Sequence, residues 1–509
     1  MPITVSTKCP SCAGEVEFEQ GTNAVHCGFC GSDHLVTGRG RVLSYYVPEK
    51  VPVWEALARA REALAGAGIP DAKTRDATLF FVPFYHLIGQ ALHWEAKEDA
   101  ERKKSWSTSG VSVTMTSSDT EDGAGFGQSG MGSLLMEGLG GNLLKALKGD
   151  GVPNLVRKTF EPRSAYISRS APALDIPELK VPSLGVRADV LKLALFEKAA
   201  VTARGQVVPV KASLPDYEAR GYAPSGSEEA VARTVFGKVR SVIYFPFWLV
   251  ESGGAPGGPG SFTVVDAVSG EVANPLAPAE ILDKLVARDG IRFDVAGLRP
   301  LKCPDCGNGL PVKPRDAVFV CGTCRKAWMV SGDGFEGIPC SIAAPQKKGS
   351  GEPVYFPLWV VTARLSTPDL TVENKYDLGR LMPGLRVPTE EDKALPLRFF
   401  VPALRIGSQL ALSRLATNFT RFQPTWEKDI PYSISAKGCH ITQDDALSLI
   451  PLILFAMAPK DNIHKVRFAL EAKVEPSGVE LVLIPFYKGR GDYVDSILGQ
   501  SLQAAAVKD

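Results

Sequence analysis

The stretch Cys9-Pro-Ser-Cys12 with Cys27-Gly-Phe-Cys30 is repeated almost 300 residues later as Cys303-Pro-Asp-Cys306 with Cys321-Gly-Thr-Cys324. Both sets have the spacing C-x2-C-x14-C-x2-C, so eight of the ten cysteines form two matched groups of four. The register continues beyond the last cysteine, because residues 34–40 (HLVTGRG) align with residues 328–334 (WMVSGDG). Two C-x2-C pairs are the ligand pattern of a structural Zn²⁺ site. The sequence therefore predicts two structural Zn²⁺ ions per chain, each bound by four thiolates.

Both segments resemble the zinc-ribbon, or rubredoxin-like, family, in which two hairpin-borne cysteine knuckles enclose one zinc ion. The resemblance rests on the four C-x2-C pairs and their spacing. It implies one small zinc ribbon at residues 1–40 and a second at residues 301–335. It does not imply one function, because zinc ribbons occur in transcription, ribosomal, enzyme-accessory and adaptor proteins.

Composition and charge predict a soluble globular protein. The chain has 509 residues, of which 45% are hydrophobic and 22% are charged, and these are ordinary values. Its formal charge is +1, and this becomes about −3 if eight thiolates bind two Zn²⁺ ions. Neither value favours a general attraction to nucleic acid or anionic lipid. The longest apolar run, at residues 446–458, is shorter than the roughly 20 residues that a transmembrane helix needs.

The region before the first knuckle lacks the apolar core of a signal peptide. Paired cysteine knuckles without an export signal are typical of metal sites in a reducing compartment. We therefore expect a cytoplasmic protein.

The patterns outside the ribbons predict an α+β, multidomain fold, with repeated mixed α/β units built on antiparallel sheets. Alternation at residues 15–19 indicates a half-buried strand, and residues 54–65 and 278–288 have the composition and end signals of helices. Hairpins are predicted at 247–266 and 468–487. The predicted divisions are a zinc ribbon at 1–40, a helix-strand unit at 41–104, a flexible Gly/Ser-rich loop at 105–151, an α+β unit at 152–300, a zinc ribbon at 301–335 and C-terminal α+β units at 336–509.

A second repeat is an aromatic and β-branched run that contains one proline. It occurs at residues 80–85 (FFVPFY), 243–248 (IYFPFW) and 354–359 (VYFPLW), with weaker copies at 399–404 (FFVPAL) and 483–487 (LIPFY). Because proline cannot donate a ladder hydrogen bond, each run predicts an edge strand or a bulge. We interpret the aromatics as packing residues; the alternative is a groove for a peptide or a lipid.

The segment 105–151 is rich in Ser, Thr and Gly and has few residues that could form a core. Within residues 134–148 a leucine recurs every fourth position beside lysines, which is typical of an amphipathic helix on a membrane or partner surface. Three glycines in the same stretch oppose a helix. We therefore expect a flexible loop and keep surface docking as the alternative.

Two histidines and a cysteine-histidine pair are the other candidate chemical residues. His86 and His93 would share one face of a helix, and we interpret them as packing residues in preference to ligands. Cys439 and His440 precede a predicted helix with Thr442 as its N-cap, which we prefer to a catalytic pair. Cys340 is a lone cysteine, expected to be buried. Catalytic residues are not assigned, and no phosphate-binding motif is present.

The second ribbon is less acidic than the first. Its basic residues are Lys302, Lys313, Arg315, Arg325 and Lys326. With the net charge of a Zn²⁺ centre included, it is about neutral, whereas a ribbon that binds nucleic acid should be clearly basic. Nucleic-acid contact through the second ribbon therefore stays an alternative.

The sequence favours a non-catalytic zinc-binding scaffold or adaptor that mediates protein–protein interaction, with unidentified protein partners. Closed metal sites, repeated aromatic strands and a long loop between ordered units support this prediction. The alternatives are a nucleic-acid-associated factor that uses the second ribbon and an enzyme whose active-site residues are dispersed along the chain.

Overall fold

The computed structural model describes residues 3–70, 73–98, 158–184, 191–222, 230–253, 261–286, 290, 293–382, 387–428 and 434–507. These residues form α-helices and four sheets whose strands are mostly antiparallel, which confirms the α+β prediction. The predicted loop at 105–151 and its leucine repeat lie outside these ranges. No helix in the described ranges has both the length and the apolar character needed to cross a membrane.

The strands are, in chain order, β1 (Thr4–Lys8), β2 (Glu15–Glu19), β3 (Ala24–His26), β4 (Asp33–Val36), β5 (Val42–Tyr46), β6 (Lys73–Glu98), β7 (Lys158–Pro172), β8 (Lys192–Leu195), β9 (Gln206–Val207), β10 (Ala230–Gly253), β11 (Ser261–Asp266), β12 (Val272–Pro278), β13 (Asp294–Val295), β14 (Leu298–Pro300), β15 (Val318–Val320), β16 (Ala327–Ser331), β17 (Gly334–Ile338), β18 (Cys340–Ile342), β19 (Val354–Ser366), β20 (Thr371–Val372), β21 (Arg398–Pro402), β22 (Lys473–Lys488), β23 (Asp492–Asp495) and β24 (Ser501–Gln503). The α-helices are α1 (Val53–Gly66), α2 (Lys198–Thr202), α3 (Leu214–Gly221), α4 (Glu280–Val286), α5 (Lys375–Leu381), α6 (Gln409–Phe422), α7 (Gln443–Met457) and α8 (Ile463–Glu471). Short 3₁₀ helices lie at Pro177–Leu179, Glu390–Ala394 and Ala504–Ala506.

The first sheet is built around the antiparallel pair β6 and β10. Pro83 lies opposite Tyr244, and Phe81 lies opposite Pro246. The outer edge of β10 pairs first with parallel β5 and then with antiparallel β11. The outer edge of β6 pairs with parallel β9 and then with antiparallel β7. The hairpin β1–β2 of the first ribbon joins the same sheet through β8, so this ribbon is continuous with the sheet.

The second sheet repeats this arrangement around β19 and β22. Pro357 lies opposite Leu483, and Tyr355 lies opposite Pro485, which is the same two-residue offset as in the first sheet. The outer edge of β22 pairs with parallel β18 and then with antiparallel β23. The outer edge of β19 makes a parallel bridge at Ala436 and then pairs with antiparallel β21.

The prediction of edge strands or bulges is confirmed only for Pro402, because β21 pairs only with β19 among the described strands. It is wrong for the four prolines on central strands, which are Pro83, Pro246, Pro357 and Pro485. The Pro246 carbonyl accepts a hydrogen bond from the Ala267 amide at 3.1 Å, and the Tyr244 carbonyl accepts from the Val47 amide at 3.0 Å. The same two bonds recur at Phe81 and Pro83 (from Val208 and Ala173), at Tyr355 and Pro357 (from Lys437 and Ala403), and at Leu483 and Pro485 (from Ala343 and Ser496). A strand residue presents its nitrogen and its carbonyl to the same side. On the outer side of each central strand, one neighbouring strand ends and the next begins beside the proline. The proline nitrogen faces this junction, so its missing N–H removes no hydrogen bond between paired strands.

The weaker copy at 399–404 belongs to a different position of the repeat. Pro402 in β21 lies opposite Leu358, one residue after Pro357, and Pro172 in β7 lies opposite Phe84, one residue after Pro83. Both prolines are followed by Ala-Leu, and the alanine amides make the bonds to the central prolines. Residues 172–174 and 402–404 are therefore the matched copies.

Of the local elements predicted from the sequence, a helix and a hairpin are confirmed and a second hairpin is wrong. The helix at 54–65 and the hairpin at 247–266 are confirmed as α1 and as β10 with β11. The C-terminal hairpin at 468–487 is wrong. Residues 468–471 belong to helix α8, and residues 473–487 belong to the single strand β22, which runs through the predicted turn at 476–478. The strand absorbs Ser477 as a bulge opposite Thr362 and Ala363 of β19.

The two halves of the chain share one core. Trp94 of β6 packs on Phe455 of α7 with ring centroids 5.8 Å apart, and its indole nitrogen donates to the Leu452 carbonyl at 3.3 Å. Helix α7 therefore lies against both sheets, and the hydrophobic cluster around it contains residues from each. The domain limits drawn from the sequence stay a prediction.

Candidate metal centres

Each set of four cysteines comes together at one point of its ribbon. In the first ribbon the Sγ–Sγ distances are 3.8 Å for Cys9–Cys30 and 3.7 Å for Cys12–Cys27. In the second they are 3.6 Å for both Cys303–Cys324 and Cys306–Cys321. All four sulfurs of either set lie within 4.8 Å of one another. Four sulfurs about 2.3 Å from one Zn²⁺ ion would be about 3.8 Å apart in a tetrahedron, so both sets fit this ion.

The four knuckles have one backbone conformation, which explains the repeated C-x2-C spacing. In each, the first cysteine donates its amide to the carbonyl five residues on and accepts from the amide four residues on. This tight turn places the fifth residue at positive φ. These residues are Ala13 (φ 59°), Gly31 (72°), Gly307 (73°) and Arg325 (63°). The turn also directs backbone amides at the sulfurs. The Ser11 amide donates to Cys9 Sγ and the Gly14 amide donates to Cys12 Sγ, each at 3.4 Å.

The surroundings of the thiols differ between the two ribbons. In the first, the Ser32 hydroxyl lies 2.9 Å from Cys30 Sγ, and hydrogen bonding to Ser32 lowers the pKa of Cys30. His34 Nε2 lies 2.8 Å from the Ser32 hydroxyl and 3.3 Å from Cys9 Sγ. In the second ribbon, Lys326 takes the aligned place of Ser32 and forms an ion pair with Asp305 at 2.6 Å. The first centre therefore has a serine and a histidine beside its sulfurs, whereas the second has a lysine paired with an aspartate.

The two ribbons pack against each other although almost 300 residues separate them in the chain. Ala24 and Leu35 of the first share a buried cluster with Phe319 and Val330 of the second. The Gly38 amide donates to the Gly332 carbonyl at 2.7 Å. Strand β14, which leads into the second ribbon, pairs with β4 of the first. The two centres thus belong to one double ribbon between the sheets.

Most of the basic residues of the second ribbon contact groups within the chain. Arg315 forms an ion pair with Glu19 of the first ribbon, and Lys313 donates to the Ala436 carbonyl at 2.8 Å. Lys326 is paired as described above, and Arg325 donates to the Gly322 carbonyl. These contacts oppose the use of this face as a nucleic-acid surface.

The structure does not bring His86 and His93 together. Both lie on strand β6, where residues seven apart point to opposite faces and are about 23 Å apart along the strand. His86 is buried and bridges Gln20 of the first ribbon, at 3.0 Å, to the Ser168 hydroxyl, at 3.1 Å. Burial lowers its pKa to about 4. The shared helical face considered in the sequence is absent because the segment is a strand.

Cys439 and His440 lie at the junction of the second ribbon and the second sheet, before α7, whose N-cap is Thr442 as predicted. Burial raises the pKa of the Cys439 thiol well above its usual value, which opposes a nucleophilic role. His440 Nδ1 lies 3.6 Å from a carboxylate oxygen of the buried Asp316, and burial raises the pKa of that carboxyl group to about 6. Cys340 is half-buried, and burial raises its pKa to about 12.

No local sequence signal marks Asp316 as a buried residue, although its side chain is buried in the structure. Its burial follows from contact between the ribbons, since its backbone carbonyl accepts a 2.9 Å bond from the Asn23 side chain of the first ribbon. The polar residues beside the sulfurs could be found only by aligning the two ribbons, where Ser32 and His34 differ from the aligned Lys326 and Trp328. Comparison with protein-family models, with curated proteins and with solved structures found no match to this chain.

Proposed function

We propose that the two cysteine clusters hold two structural Zn²⁺ ions and that the protein is a non-catalytic scaffold that mediates protein–protein interaction. The observation that carries the proposal is the pair of four-sulfur sites with tetrahedral spacing inside one double ribbon. Four thiolates complete the coordination of Zn²⁺ and leave no position for a substrate. The ions would therefore maintain shape rather than perform chemistry.

The position of the ribbons supports a role in joining the two sheets. The first ribbon continues into the first sheet through β1 and β8, and the second is followed directly by β18 of the second sheet. Since free energy of metal binding contributes to local folding, each ion would stabilise the contact between the ribbons as well as its own knuckles.

Metal analysis tests the proposal. Wild-type protein should contain two zinc ions per chain, while Cys12→Ser and Cys306→Ser should each lose one. Cys340→Ser is the matched control and should retain both, because Cys340 belongs to neither cluster. Stoichiometric iron, or full zinc content in the two knuckle variants, would contradict the proposed sites.

The scaffold role requires protein partners, which affinity purification from the native source followed by mass spectrometry should identify. We expect the same proteins to be recovered with wild type and Cys340→Ser, and to be reduced with Cys306→Ser. Turnover of a substrate by the purified, zinc-loaded protein would instead support the enzyme alternative.

A further inference from the structure

A cavity of about 460 Å³ lies on the first sheet, away from the cysteine clusters, between strands β6 and β7 and helix α3. Its polar lining includes His86, Ser168, Arg169, Ser170, Tyr217 and Arg220. The volume lies within the range of pockets that bind small molecules.

Two arginines line this cavity, and none of its described lining residues is a carboxylate. Backbone carbonyls position both side chains: Arg169 Nη1 donates to the Arg220 carbonyl at 3.4 Å, and Arg220 Nε donates to the Asp216 carbonyl at 3.2 Å. Because burial lowers the pKa of His86 to about 4, this histidine is neutral at neutral pH, and the two guanidinium groups supply the charge.

The arginines share one face of the sheet with Tyr217, whereas the serines of the lining lie on the other. Arg169 lies opposite Leu87 and Ser170 opposite His86 in the pairing of β7 with β6, so these two side chains point to opposite faces. His86 Nε2 lies 3.1 Å from the Ser168 hydroxyl on the Ser170 side. Arg169, Arg220 and Tyr217 are therefore the polar groups that can contact one ligand together.

Tyr217 provides an independent sign of a missing partner. Its ring stacks on Tyr85, with centroids 5.4 Å apart and an angle of 16° between the planes. Its hydroxyl is buried and has no hydrogen-bond partner in the described part of the chain. Native proteins rarely leave a buried hydroxyl without a partner, because its lost hydrogen bond to water is then not replaced.

We propose that this cavity is a binding site for a small organic anion. Arg169 and Arg220 hold its phosphate or carboxylate group, the Tyr217 hydroxyl donates to the same group, and its apolar part packs beside the ring of Tyr217. Ala171, Pro172 and Ala212 complete the apolar side of the cavity. A planar guanidinium matches both kinds of anionic group, so the shared chemistry is a two-oxygen anion attached to an apolar body.

Calorimetric titration of the zinc-loaded protein with phenyl phosphate, benzoate and phenol tests the proposal. We expect the two anions to bind and phenol to bind at least about tenfold more weakly, because it lacks the charged hydrogen bonds. The tighter of the two anions identifies the preferred group. Equal affinity for phenol, or no binding of either anion, would overturn the proposal.

Variants locate the site. Arg220→Met should weaken phenyl phosphate binding about tenfold or more, and Tyr217→Phe should weaken it less. Arg59→Met is the matched control, since Arg59 lies on α1 beside Glu55 and does not line the cavity. An equal loss in the control would mean that binding reports only net charge.

Labelling of the wild-type protein gives a reading that does not depend on how variants fold. Arg220 is exposed and should react with phenylglyoxal, and phenyl phosphate should slow that reaction selectively. Equal labelling of Arg220 with and without phenyl phosphate would exclude contact at this residue.

Discussion

At the scale of single residues, the fifth position of each knuckle combines one backbone conformation with three residue types. Glycine occupies it in two knuckles, alanine in one and arginine in one, all at positive φ. Positive φ costs a residue with a Cβ roughly 1–2 kcal/mol, whereas glycine adopts it freely at some cost in unfolded-state entropy.

Ala13→Gly should therefore stabilise the zinc-loaded protein by about 0.5–1 kcal/mol. The reciprocal change, Gly307→Ala, should destabilise it by a similar amount. A Cβ at Gly307 would meet no atom within 4 Å, so its effect comes from the backbone alone. Urea unfolding measures both changes, and shifts of the same sign would contradict this account.

The buried His86 makes stability depend on pH. Its pKa falls from the usual 6.5 to about 4 in the folded protein, so the unfolded chain binds the proton more readily. Protonation of His86 therefore favours the unfolded chain. The protein keeps its full stability in this respect above about pH 6.5 and loses stability as the pH falls toward 4. Between pH 7 and pH 5 this protonation should lower the free energy of unfolding by about 2 kcal/mol.

His86→Gln should remove that part of the pH dependence, and comparison of the two unfolding curves isolates it. Asp316 acts in the opposite direction. Its pKa is raised to about 6, so its contribution to stability falls as the pH rises from about 4 to 6. Asp316→Asn is thus the control, and it should steepen the loss of stability on acidification. Parallel curves for wild type and His86→Gln would contradict a buried neutral histidine.

At the scale of elements, the proline-bearing strands β6, β10, β19 and β22 are central strands whose two faces support different cores. Phe247 faces a cluster with Phe84 and Phe245, whereas Tyr244 faces the opposite side of the sheet. Strand alternation thus places these aromatics on two faces, and no bulge occurs at Pro246.

Phe247→Ala should cost about 3–5 kcal/mol of stability, because it creates a cavity in a closely packed core. Phe29→Ala is the matched control: its side chain is 73% exposed on the first ribbon, and the change should cost much less. Chemical denaturation measures both. A stable Phe247→Ala protein that loses a binding partner would instead support the groove interpretation.

Local elements could be predicted where the pattern and the end signals agree. Helix α1 and the alternating strand β2 depend on short-range periodicity, which the sequence displays directly. Residues 476–478 (PSG) have the composition of a turn, but the structure has a strand there. Hydrogen bonding to β19, which local sequence does not show, keeps these residues in β22, and a bulge accommodates the extra residue.

At the scale of the whole molecule, the two halves are similar in arrangement and are held together by contacts between them. Trp94 reaches from the first sheet to α7, and the two ribbons share a buried cluster. The sequence predicts both cysteine sets but contains no local signal that they adjoin. Likewise, Arg169 and Arg220 are brought together only by the packing of α3 on the sheet.

Trp94→Ala should weaken the coupling of the halves as well as the overall stability. We expect a loss of about 3–5 kcal/mol and a thermal transition that broadens or separates into two in calorimetry. Trp54→Ala is the control, because that indole is 68% exposed on α1. A single sharp transition at a lower temperature would mean that other contacts alone maintain the coupling.

The pairing of β5 with β10 also determines when the first sheet can form during synthesis. Val42 pairs with Arg240, so about 200 residues must be made after β5 before its partner exists. Closing such a long loop makes folding slow. Strand β6 also waits for β10, because Glu95 pairs with Ala230 and Lys73 with Gly253, which are about 135 and 180 residues apart. Until then the nascent chain presents unpaired aromatic strand edges, which are prone to aggregation. Early folding of the first ribbon around its metal would shorten that exposed stretch, so zinc supply during translation should affect the yield of soluble protein.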